Sequence, residues 1–247
     1  MLAVLACAAP LSLGQLGTPV QVTASDAAAN RYFGNTVAVS GDVMVVGAPL
    51  ADGTVTNNDG AVYIFRWNGS GWTQEQKIPG PTTTGNSTEF GRAVAISGET
   101  VVIGARSDDE VGTDAGAAWV YTRVGGLWTL QAKLTASNGA GSDFFGTGVA
   151  IDGDTIVVSA PNDDNAGGAD AGSAYVFVRS GTTWTQQQNL LASNGAAGDL
   201  FGTGAITGAP GAVSISGDTI AIGARAKSSN AGRVYLFSRQ VTAGTVW

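Results

Sequence analysis

Carboxylates are the only side chains in this 247-residue sequence that are plentiful and grouped enough to do chemistry. Histidine is absent, which removes the commonest general base and metal ligand, and with it Ser-His-Asp catalysis and ordinary zinc sites. The single cysteine, Cys7, sits in an apolar N-terminal stretch, so the folded part has no thiol chemistry and no disulfide. What remains is acidic: Asp108-Asp109-Glu110 followed by Asp114, and Asp163-Asp164 followed by Asp170. Such loops can offer several oxygens to a hard cation. They can equally be solvated turns in which Asp side chains bond nearby backbone. Two carboxylates at a fixed separation could also form a glycosidase pair. Nothing singles out one pair, because the acids recur like turn residues whereas a catalytic site breaks the symmetry of its scaffold. The expectation is a chain that is not an enzyme.

The elements that position these loops repeat. Phe-Gly occurs as Phe33-Gly34, Phe90-Gly91, Phe145-Gly146 and Phe201-Gly202, spaced 57, 55 and 56 residues apart. A small tripeptide follows in each copy: Gly47-Ala48-Pro49, Gly104-Ala105-Arg106, Ser159-Ala160-Pro161 and Gly223-Ala224-Arg225. A fixed period in this range marks a repeat architecture. Apolar residues make up 44% of the chain, enough for a core, and 37 glycines without a collagen-like triplet point to many tight turns between short strands.

Four strands are legible in each repeat from alternation and turn signals. The first covers 36–40, 93–97, 148–152 and 213–216, and Gly41-Asp42, Gly98-Glu99, Gly153-Asp154 and Gly217-Asp218 follow as II′ hairpin turns. The second is a continuous apolar run, buried on both faces. A long loop then leads through Asn58, Asp114, Asp170 or Asn230 to an aromatic third strand. Trp72, Trp128 and Trp184 open a polar fourth, where they are expected to pack on the outer hairpin, and the repeated phenylalanines are expected in the core. Four antiparallel strands per period predict an all-β fold, a β-propeller of four-stranded blades, with blades at about 30–86, 87–141, 142–197 and 198–247. The fourth copy departs through an insertion at 205–212 and a shortened later loop.

The ends read differently. Residues 1–17 resemble the end of a secretory signal, too short to span a bilayer, with a lipobox at Cys7 as the other reading. Residues 18–29 repeat the segment that closes later blades, TPVQVTASD beside KLTASN, and so form a candidate closing strand. If four blades make the whole ring, residues 19–23 should pair with 234–237. If they are part of a larger ring, the two ends should lie apart and leave apolar faces open. The net charge of −7 argues against nucleic acid or an anionic membrane as partner.

Phe-Gly followed by Gly-Ala-Pro 14 residues on, and then by an aromatic strand, resembles the FG-GAP repeats of integrin α-subunit propellers and of many bacterial secreted and surface proteins. The likeness covers about residues 20 to 247. It implies a propeller of seven-bladed type, of which four blades are present, and a role outside the cell in adhesion or recognition of a protein or glycan. It also implies calcium, although the Asp-x-Asp-x-Asp-Gly loop that holds it in integrin-like repeats is missing. The acids left to bind calcium are Asp108, Asp109, Asp114, Asp163, Asp164 and Asp170. The alternative function is an accessory propeller of a larger secreted enzyme.

Overall fold

The computed structural model describes residues 19–29, 31–52, 59–81, 87–204, 211–227, 231–242 and 244–247. The signal-like segment with Cys7, the turn residues Asn58 and Asn230, and most of the 205–212 insertion lie outside them.

Each Gly-acid pair makes a hairpin. Gly41, Gly98, Gly153 and Gly217 have φ between +53° and +58° while the acid after each does not, as a II′ turn requires. Blade one is β1 (Thr36–Ser40), β2 (Val43–Ala48), β3 (Ala61–Trp67) and β4 (Trp72–Pro79). Blade two is β5 (Ala93–Ser97), β6 (Thr100–Ala105), β7 (Ala117–Val124) and β8 (Leu127–Leu134). Blade three is β9 (Gly148–Asp152), β10 (Thr155–Ala160), β11 (Ser173–Ser180) and β12 (Thr183–Leu190). All three are antiparallel sheets in simple meander order. Blade four has three strands, β13 (Val213–Ser216), β14 (Thr219–Ala224) and β15 (Arg233–Ser238). β16 (Gln240–Thr242) and β17 (Gly244–Val246) pair only with each other. Trp247 stacks on Arg239 at 4.4 Å, much as Trp184 stacks on Arg179 at 5.0 Å.

The blades pack face to face, and the core lies between them rather than within any one. Val45, Val62 and Ile64 on the back of blade one meet Phe90, Val101 and Ile103 on the front of blade two. Val102 and Val120 meet Phe145, Val158 and Tyr175 in the same way, and Val157 and Val176 meet Phe201, Ile220 and Ile222. Phe90, Phe145 and Phe201 are buried and sit edge-on to third-strand aromatics, with Phe145 and Phe177 rings 6.1 Å apart. Trp128 and Trp184 lie opposite Arg123 and Arg179 of their own outer hairpins and are also buried between blades. Their indole N–H groups donate across the interface, Trp128 to Glu75 Oε2 at 3.1 Å and Trp184 to Gln131 Oε1 at 2.7 Å.

The Phe-Gly joint explains its own sequence. Phe145 N–H donates to the Ala115 carbonyl of the preceding blade at 2.9 Å, while Gly146 N–H donates to Ser159 of its own blade at 3.0 Å. Gly116 lies so close to this joint, at φ +85°, that a Cβ there would be 2.0 Å from the Phe145 carbonyl oxygen. The glycine of the small tripeptide has the same cause, since a Cβ on Gly104 would be 2.0 Å from Gly146 O. Ser159 fills that position in the third copy, and the next joint keeps the same bonds, Phe201 N–H to the Ala171 carbonyl at 3.0 Å and Gly202 N–H to the Gly223 carbonyl at 2.7 Å.

Residues 19–23 form no strand, and β15 pairs only with β14, so the four-blade closure through 234–237 is not formed. The reason is local. Val22 and Ala24 are packed on the front of blade one with Tyr63 and Phe65, and Ser25 exchanges hydrogen bonds with Gln74 at 2.9 and 3.0 Å, as Ser137 does with Gln186.

Candidate functional site: the acidic rim

The loops after the second strands emerge on the rim opposite the Gly-acid hairpins, beside the tails that follow each fourth strand. On blade three, Asn138, Ser142, Asp143, Asn162, Asp163, Asp164 and Asp170 line one crevice there. Asp163 is buried; its Oδ1 accepts from Asn138 Nδ2 at 3.2 Å and its Oδ2 from the Ser173 hydroxyl. Asp164 Oδ1 accepts the Asp170 N–H at 2.8 Å and Asp170 Oδ1 accepts from Asn162 Nδ2 at 2.8 Å, which holds Asp170 in a left-handed turn at φ +51°.

Blade two repeats the turn, but its buried acid has a basic partner. Asp109 Oδ1 accepts the Asp114 N–H at 2.7 Å, and Asp114 also has a positive φ of 53°. Its buried Asp108, however, accepts from Lys133 Nζ at 2.8 Å, and Lys133 also pairs with Glu110. In blade four Lys227 pairs with Asp199 at 2.6 Å, and in blade one Arg31 pairs with Asp52. Among the described residues no lysine or arginine pairs with Asp143, Asp163, Asp164 or Asp170.

Asp143 was not among the acids the sequence singled out. It is buried, and its Oδ2 accepts the Ala140 N–H at 2.7 Å. Burial raises its pKa above the ordinary 3.8, the Ala140 bond opposes the rise, and the nearby charges of Asp163 and Asp164 add to it. The signal was available in the repeats. Two residues before each phenylalanine stand Arg31, Thr88, Asp143 and Asp199; two after each tripeptide stand Ala51, Asp108, Asp163 and Lys227. Only the third copy has an acid at both places.

Among the described residues no three acidic groups converge as a metal ion requires. Asp108, Asp109, Asp163, Asp164 and Asp170 each spend at least one oxygen on a turn or a neighbouring side chain. With the Asp-x-Asp-x-Asp-Gly loop also absent, this arrangement does not fit a calcium site.

Stacked four-stranded meanders joined through Phe-Gly define an array of propeller-type blades that is not closed through its first and last sheets. The FG-GAP repeat profile matches residues 19–65, 72–121, 128–177 and 184–237, and the chain belongs to that family. Each matched unit after the first starts at the fourth-strand tryptophan of one blade and ends in the third strand of the next, so the repeat unit contains the joint between blades. A search of curated proteins gave no match. Among the described residues no helix is long and apolar enough to cross a membrane.

Proposed function

We propose that this chain is a non-catalytic interaction module, secreted or displayed at the cell surface, which holds its rim loops out to an extracellular protein or glycan. The observation that carries the reading is the crevice of blade three, where four aspartates stand without a basic partner, while in each of the other blades a rim acid is paired with a lysine or arginine. Loops on a rigid scaffold are the usual carriers of recognition. An uncompensated acidic crevice favours a partner that brings cationic or hydroxyl groups, and it disfavours nucleic acid. No cofactor is required, since the turns are already held by Asp–backbone bonds. Millimolar calcium is therefore expected to leave the melting temperature unchanged, whereas a rise of several degrees would mean that the acids regroup around an ion.

The test is an array of extracellular-matrix proteins and glycans probed with the purified chain and with a variant carrying Asp164→Asn and Asp170→Asn. Both side chains are exposed, and Asn keeps the acceptor oxygen each turn uses. Hits that fade in the variant support the reading. Binding to nothing on the array, or equal binding by both proteins, would remove it.

A further inference from the structure

Three of the four described blades seat a lysine ammonium of the chain's own against the polar groups of this rim. In blade one Lys77 Nζ donates to Asp26 Oδ2 at 2.6 Å and to the Asp52 carbonyl at 3.2 Å. In blade two Lys133 Nζ donates to Asp108 Oδ1 at 2.8 Å and to Glu110. In blade four Lys227 Nζ donates to Asp199 Oδ2 at 2.6 Å and to the Asn194 carbonyl. The lysines come from two positions. Lys77 and Lys133 lie on the fourth strand, paired in register with Tyr63 and Trp119, and their Nζ atoms stand 5.6 and 4.8 Å from the centres of those rings. Lys227 lies two residues after the small tripeptide.

Blade three keeps the acceptors and has neither lysine. Asp143 matches Asp199 and Asp163 matches Asp108, so two carboxylates that each hold an ammonium in another blade line one crevice here. The fourth-strand position is Asn189, paired in register with Tyr175, and the loop position is Asp163 itself. Two buried polar atoms at this spot are left over. Tyr175 is 0% exposed, and its hydroxyl, set among Asn138, Asp163 and Ser173, meets no partner within hydrogen-bond geometry. The matching hydroxyls of Tyr63 and Tyr235 donate to Asp26 at 2.8 Å and to Asn194 at 2.7 Å. Asn189 Oδ1 is likewise buried without a partner.

We propose that the crevice of blade three takes the ammonium of a lysine side chain from a protein partner, seated against Asp143 and Asp163 as Lys227 and Lys133 are seated against Asp199 and Asp108. This rests on the reading of the crevice as the recognition surface and names the group recognised. An ammonium suits the crevice better than a guanidinium. Asp163 already accepts one bond on each oxygen and Asp143 one on Oδ2, so neither carboxylate offers the two open oxygens that a bidentate arginine fork requires. Each can still accept a further N–H from a compact ammonium, because a carboxylate has about four lone-pair sites.

The test is a heteronuclear NMR titration of the purified chain with capped pentapeptides in which glycines flank a central lysine, arginine or glutamine. The lysine peptide is expected to give saturable shifts at residues 138–143 and 162–170, and the other two none at concentrations that saturate it. Asn189→Lys places a lysine where blades one and two carry one; it should raise the melting temperature and abolish the lysine-peptide shifts with circular dichroism unchanged. Thr185→Lys adds the same charge at an exposed site of the same strand and should bind as the wild type does. Absence of saturable shifts with the lysine peptide overturns the proposal, as does an equal response to arginine or binding that survives Asn189→Lys. Its failure is separable from failure of the broader reading: array hits that fade in the Asp164→Asn, Asp170→Asn variant but are all neutral glycans would keep the crevice and remove the lysine.

Discussion

Asp143 is the residue that sets the third blade's rim apart, and its titration can be read directly. Its pKa is raised in the folded chain, so ionising it costs stability that is present below the unfolded value of 3.8 and lost as pH rises through the folded pKa. Asp143→Asn keeps an acceptor for the Ala140 N–H and removes that cost. The variant is expected to melt higher than the wild type at pH 7 and equal to it once the pH falls below the carboxylate range, as followed by thermal denaturation across pH. A lower melting temperature at pH 7 would mean that the charge is stabilising, and so has a counter-ion. Gly116 gives a second test at this scale. With φ +85° and the Phe145 oxygen 2.0 Å from any added Cβ, Gly116→Ala should cost at least about 2 kcal/mol in a urea titration. A negligible loss would mean that the joint can open without penalty. Glycines and phenylalanines at a fixed period were legible because their reasons are steric and repeat with the blade. Asp143 was harder to see, since its meaning depends on Asp163, 20 positions on in sequence and adjacent only through the fold.

Between elements, the strands and hairpins were readable and the contacts across blades were not. The four first strands fall where alternation placed them, because each ends at a Gly-acid turn that admits one geometry. The residue before each phenylalanine, Tyr32, Glu89, Phe144 or Leu200, has φ between 53° and 55°, and none of these types announces a left-handed backbone. The inward position of Trp128 was also hidden, for it depends on Glu75 of the neighbouring blade. Burial pushes the Glu75 carboxyl up, but hydrogen bonds from Trp128 and Arg123 and the charges of Arg66 and Arg123 outweigh this and lower its pKa. Its contribution is therefore present above the ordinary value of 4.5 and is lost as pH falls through the folded pKa. Glu75→Gln should lower stability at pH 7 by about 1 kcal/mol, the worth of a partly screened charged hydrogen bond, with the difference vanishing in acid. A difference that persists unchanged at low pH would assign the loss to packing instead.

At the scale of the whole molecule the repeat reading placed the four described blades and their order, while the sequence could not decide what covers the faces of the first and last. The segment 19–29 has the composition of a blade tail and is docked as one, yet the blade it serves is blade one rather than blade four. Sequence periodicity says that a face exists; only the packing says which neighbour covers it. The same holds for function, because the FG-GAP pattern specifies a scaffold and not what it binds. We propose that recognition is centred on blade three's acidic crevice. Its most direct test is surface plasmon resonance on the strongest array hit, comparing wild type with the Asp164→Asn, Asp170→Asn variant at matched salt. The account predicts affinity weakened about tenfold or more with circular dichroism unchanged, as expected when charges at a contact are removed. Equal affinity for the two proteins would contradict it and move the binding surface elsewhere on the array of blades.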